Sequence, residues 1–144
     1  KPDGNDRSQV KSIWSGECDI SLGNTYYMGQ MVADPEQIEW ANSVRIVFPV
    51  FEGSGTHMNI SGVAMTKAAP NKDEALKLME FLASDTAQAI YAETNHEFPV
   101  KEGVARSALV ASWGEFTPDS LSMPEVAAPR PDALKLIEEV NFDG

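Results

Sequence analysis

The chain has a single cysteine, Cys18, and few basic residues: 11 against 22 acidic ones, for a net charge of −11. One cysteine excludes an intrachain disulfide and any metal cluster built on cysteine pairs. A catalytic thiol at Cys18 would need a base beside it, and neither histidine is near in sequence. The shortage of Lys and Arg, with no basic run, argues against nucleic-acid binding and leaves an acidic surface suited to cationic ligands or partners. No apolar run approaches the roughly 20 residues that cross a bilayer as a helix. A starting Met and the regions of a signal peptide are missing too. The chain opens on Lys1-Pro2-Asp3-Gly4, a turn-like tetrapeptide that marks either a removed leader or a piece of a longer protein.

Enzyme signatures are equally scarce. There is no G-x-S-x-G, no Walker loop, no H-E-x-x-H and no G-x-G-x-x-G after a strand. "GSG" at positions 53–55 is too short for a phosphate loop, and His57 and His96 each lack a second ligand at helical spacing. Loop histidines in that setting are more often hydrogen-bonding or surface residues than metal ligands. Lys72-Asp73-Glu74 and Glu138-Glu139 read as solvated helix faces.

What is present is one ordinary domain's worth of chain, 144 residues with 42% hydrophobic content, enough to build a core. "GNDRSQVKSIWSGE" predicts a short helix capped by Asn5, Asp6 or Ser8 and ended at Gly16. Cys18, Ile20 and Leu22 alternate as one face of a strand, with Cys18 a small core residue. A helix opens at the tyrosine pair, and another at Pro35 with Asp34 as its cap. "SVRIVFPVF" and "NISGVAMTKAA" read as strands, the first buried, with "EGSGTHMN" as the loop between them. "NKDEALKLMEFLASDTAQAIYAE" predicts a helix with Ala75, Leu78, Met79 and Leu82 on one stripe, a break at Ser84 and a second helix capped by Asp85. Residues 101–130 predict short helices and loops, and "RPDALKLIEEV" an amphipathic closing helix with Leu134, Ile137 and Val140 on its apolar face. Strands alternating with helices indicate an α/β layered fold, although three or four strands are few for a self-contained sheet.

The chemistry concentrates in "LGNTYYMG". Only three tyrosines occur, and Tyr26 and Tyr27 are adjacent. An arbitrary pair of this kind is most simply one buried and one half-exposed ring. At the end of a strand or in a first helical turn, however, two phenol oxygens can reach one point, at the strand end where α/β proteins place ligands. A phenol has a pKa near 10 and ionises at neutral pH only beside a strong cation. Softer ions prefer imidazole or thiolate, whereas a hard trivalent ion such as Fe(III) prefers anionic oxygen. Two phenolates cancel two of its three charges and fill two of about six positions, so further donors are required.

"GECDISLGNTYYMGQM", together with the stretch from Asn59 to Val100, "NISGVAMTKAAPNKDEALKLMEFLASDTAQAIYAETNHEFPV", resembles the periplasmic ferric-iron-binding proteins, the solute-binding components of bacterial Fe(III) ABC importers. The resemblance runs over nearly the whole chain. It implies the C-terminal portion of a two-lobed periplasmic-binding-protein fold of the transferrin-lobe type, with residues 1–56 and 108–144 in one lobe, 57–107 in the other, and hinge strands near 53–57 and 106–108. It implies Tyr26 and Tyr27 as iron ligands in an interlobe cleft. Asn24, and Asn5 to within a residue of alignment, are implied as contacts to a synergistic anion such as phosphate or carbonate. His57 and His96 match no ligand position. The implied function is Fe(III) capture and delivery to an inner-membrane ABC permease, in the periplasm, by a protein that is monomeric when intact and is not an enzyme. The missing N-terminal part would supply the remaining ligands. The alternative reading is a binding protein of the same superfamily for an anionic or small organic ligand, with the tyrosines as aromatic walls.

Overall fold

The computed structural model describes residues 4–51 and 53–142. Of the expected opening turn only Gly4 lies within them. Eight α-helices and one π-turn form: α1 Asp6–Trp14, α2 Thr25–Ala33, α3 Ile38–Asn42, α4 Lys72–Leu82, α5 Asp85–Ile90, the π-turn Tyr91–Asn95, α6 Ala108–Ser112, α7 Met123–Ala127 and α8 Arg130–Glu139, all among the described residues. None is long and apolar enough to cross a membrane.

Helix ends follow local chemistry closely. Asn5 Oδ1 accepts from the backbone N–H of Arg7 at 3.0 Å and of Ser8 at 3.1 Å, which satisfies the donors that open α1. α1 ends with Gly16 at φ +80°, its N–H donating to Ile13 O and that of Glu17 to Ser12 O, a Schellman closure. Asp34 Oδ1 accepts from Glu36 N–H at 2.9 Å and Oδ2 from Gln37 Nε2. Residues 35–37 form a turn, so α3 proper starts three residues after the proline expected to open it. The cap of α5 is Ser84, whose Oγ accepts from Ala87 N–H at 3.3 Å. Asp85, expected in that role, is instead the first helical residue and places its charge in the first turn.

The expected strands differ from what forms. Among the described residues there is no strand ladder, only an isolated parallel bridge between Thr56 and Pro118. Ile20 and Leu22, expected to face a core, are 84% and 80% exposed, and Cys18 is half-buried. In residues 44–48, Val44, Ile46 and Phe48 are half-buried while Arg45 and Val47 are exposed, the period of a strand covered on one side. Val50, Phe51, Ile60 and Val63 are exposed as well. A helix closes its hydrogen bonds within one segment, but a strand needs a second one beside it. These runs have the strand pattern without a partner strand among the described residues.

The chain divides into two compact units. One comprises Lys1–Gly23, Glu39–Met58 and Phe116–Gly144. Within it Trp14 and Trp40 lie with centroids 6.4 Å apart, Lys11 Nζ sits 5.2 Å from the Trp40 ring centre, and Phe48 meets Phe116 at 4.5 Å. Thr56 N–H donates to Thr117 O, and its carbonyl accepts from Asp119 N–H. Gly55 is buried at φ +118°, and a Cβ there would meet Thr117 O at 2.6 Å, so only glycine permits this approach. Leu134 and Val140 of the closing helix are exposed, and Ile137 alone of its expected apolar face is half-buried.

The other unit comprises Asn24–Ile38 and Asn59–Glu115. Met31 and Val110 are fully buried within it, with Ala87 and Ala92 nearly so. Buried Gln88 donates through Nε2 to Leu82 O and accepts through Oε1 from Val100 N–H, both at 3.0 Å, which ties the end of α4 to the extended residues after the π-turn. Ala75, Met79 and Leu82 form the covered stripe of α4, while Leu78, expected on it, is exposed. Phe98 packs near Trp113 and under Arg106, which pairs with Glu115 at 3.1 Å.

Candidate functional site

α2 begins where the chain leaves Gly23. Asn24 stands at its N-cap in extended backbone, but its side chain makes no capping bond. Its Oδ1 accepts instead from Asn59 Nδ2 at 2.8 Å. Asn59 carried no signal in the sequence beyond its place at the start of an apolar run, and only the tertiary structure brings it to the tyrosine segment.

With Thr25 as the first helical residue, Tyr26 and Tyr27 occupy the second and third positions of α2. Successive helical residues leave the axis about 100° apart, so adjacent side chains ordinarily diverge. Here the ring centroids are 4.5 Å apart with planes inclined at 43°, so both side chains have turned toward a common side. Both residues are half-buried. The first turn of a helix presents unsatisfied N–H groups and the positive end of the dipole, which favours negative charge.

Further along α2, Gly29 is buried and Met31 has 0% of its surface exposed. A Cβ on Gly29 would lie 2.2 Å from His96 Cδ2, so the imidazole rests directly against the helix backbone. His96 follows the π-turn in the left-handed conformation, φ 58° and ψ 33°, with its N–H donating to Tyr91 O. Its Nδ1 is buried and makes no hydrogen bond among the described residues. The sequence pattern around "TNHEF" held no sign of this placement.

The other candidates belong to the other unit. Asn5 lies there, and its Oδ1 caps α1. His57, also in that unit, has its Nδ1 3.0 Å from Asp119 Oδ2. Among the described residues no three His, Cys, Asp or Glu side chains gather where they could hold a metal ion. The side chains that adjoin each other at the start of α2 are the phenols of Tyr26 and Tyr27.

Residues 15–118 match the bacterial extracellular solute-binding protein family, and the chain belongs to that family. Particular relatives narrow the class. Iron uptake protein A1 of Synechocystis is 44% identical over 144 residues, 99% of this chain and 40% of that protein. The apo ferric ion-binding protein A of Pasteurella haemolytica superposes with a TM-score of 0.94 at 51% identity, over 100% of this chain and 45% of that one. A Trichodesmium protein solved with iron and citrate ligands superposes at 0.88 with 40% identity, over 96% of this chain and 45% of its own. The solved neighbours have the two-lobed ferric-binding fold. The chain spans less than half the length of each of these relatives.

Proposed function

We propose that these residues form the tyrosine-bearing part of a ferric-ion-binding protein for bacterial iron uptake. The observation that carries the reading is the Tyr26–Tyr27 pair, drawn together to 4.5 Å at the start of α2 in a chain 51% identical to a ferric ion-binding protein. Ionised together, the two phenols supply hard anionic oxygen to a trivalent ion, with the positive helix end offsetting their mutual repulsion. Asn24 contacts a synergistic anion, whose negative charge completes what two phenolates leave uncompensated. An anion needs N–H donors, and the side-chain amide of asparagine provides two. Phosphate, carbonate and citrate all have suitable oxygens.

Iron is cargo in this reading and no bond of a substrate is made or broken. The protein works in the periplasm and passes the ion to a membrane permease of the ABC type. The remaining ligands come from the part of the relatives' length that this chain does not cover. Release follows protonation of a phenolate or loss of the anion.

The test is ferric titration of a chain of the relatives' full length that contains these 144 residues. A visible tyrosinate-to-iron charge-transfer band is expected, abolished or strongly weakened in Tyr26→Phe and Tyr27→Phe. Absence of the band, with tight binding of an anionic or organic solute by the same protein, would replace this reading with that of a solute carrier.

A further inference from the structure

Tyr26 and Gly29 are three residues apart, and Tyr27 and Met31 four, the spacings that stack side chains on one helix face. Tyr26 therefore starts from the side of α2 on which Gly29 is buried one turn later, and Tyr27 from the side on which Met31 is buried. At Gly29 the three atoms nearest an added Cβ all belong to His96: Cδ2, Cγ and Cβ, at 2.2, 2.3 and 2.5 Å. His96 reaches this place through its backbone. The π-turn Tyr91–Asn95 widens the end of α5, and the left-handed conformation at φ 58° then turns the chain back on α2. With its Nδ1 buried and unbonded, that nitrogen is no polar anchor for the ring.

We propose that His96 is a positioning residue for the tyrosine pair: a wedge at Gly29 that sets the depth and rotation of α2, and through them the direction in which both phenol oxygens leave the helix. The proposal rests on Tyr26 and Tyr27 being the ferric ligands. Metal–ligand distances tolerate deviations of only about 0.2 Å, so a small shift of α2 is felt at the metal. Gly29 is required for the same reason, because any larger residue pushes the ring and the helix apart.

The experiment loads ferric salt into a chain of the relatives' full length containing these residues, carrying Gly29→Ala, His96→Asn, or Gly29→Ala with His96→Gly. Asparagine tolerates the left-handed conformation, so His96→Asn removes the ring without straining the backbone. Gly29→Ala and His96→Asn are each expected to move the maximum of the tyrosinate-to-iron band and to weaken iron retention against citrate by about 10- to 100-fold. The double variant, with a methyl group in the space the ring vacates, is expected to recover part of both. Should the band and the citrate competition match the parent while only the thermal midpoint falls, His96 is a packing residue and the proposal is overturned. If Gly29→Ala does not fold, His96→Asn decides the matter by the same two readouts. A parent chain without any charge-transfer band sinks the ferric reading itself, and this role with it.

Discussion

In the unit of Asn24–Ile38 and Asn59–Glu115, Met31 and Val110 are closed to solvent and Gln88 binds backbone at both ends of its amide. In the unit of Lys1–Gly23, Glu39–Met58 and Phe116–Gly144, large apolar side chains such as Ile20, Leu22, Val47 and Leu136 stand exposed, and Thr56 and Pro118 form a bridge without a ladder. The first holds the fully buried side chains, although its own run at Ile60 and Val63 is exposed too. The second has extended segments that form no ladder among the described residues. The tyrosines belong to the unit that holds the fully buried Met31 and Val110.

Substitutions can test that contrast, each measured by urea unfolding in a chain of the relatives' full length. Met31→Ala, at a side chain with 0% exposure, is expected to cost about 2–5 kcal/mol because the helices around it cannot collapse onto the space. Leu134→Ala on the exposed face of α8 should stay within about 0.5 kcal/mol. Equal losses at the two positions would erase the distinction between the units. Gly55→Ala comes next, at about 1–3 kcal/mol, since it adds a Cβ at φ +118° against Thr117 O and breaks the approach that the Thr56 bridge needs. Asn5→Ala is smaller, about 1 kcal/mol for a lost cap, with fraying of α1 visible in amide exchange at Arg7 and Ser8.

The smallest effect is a pH dependence in α7. Glu125 accepts from Ser122 Oγ at 2.6 Å and from Ser122 N–H at 2.8 Å, and these bonds, the side-chain one foremost, hold its carboxyl below the ordinary value. A lowered carboxylate pKa adds stability above the unfolded value and loses it as pH falls through the folded one. Amide exchange in Met123–Ala127 should therefore quicken on acidification, and Glu125→Gln should remove that dependence. An unchanged profile in the variant would show that Glu125 is not the group responsible.

Where chemistry is local, the structure and the bare sequence agree. Asn5 caps α1, Gly16 ends it, and the stripe of Ala75, Met79 and Leu82 faces inward, because helices and their caps close within a few residues. The runs at 18–22 and 44–51 carry the alternation of strands but form no ladder among the described residues, since pairing is a property of two segments. Tyr26 and Tyr27 were visible as a rare adjacent pair. That their rings meet, that Asn24 turns to Asn59 rather than capping its helix, and that His96 bears on Gly29 were not visible.

The sequence by itself determined the Asn5 cap and Gly16 stop of α1, the net charge of −11, the single cysteine and the presence of two neighbouring phenols. It does so because composition, caps and turn residues act over one or two helical turns. The tertiary structure alone decided that Asn24 meets Asn59 and that His96 bears on α2 at Gly29. Those contacts join positions 35 and more residues apart, where chain spacing carries no information about distance.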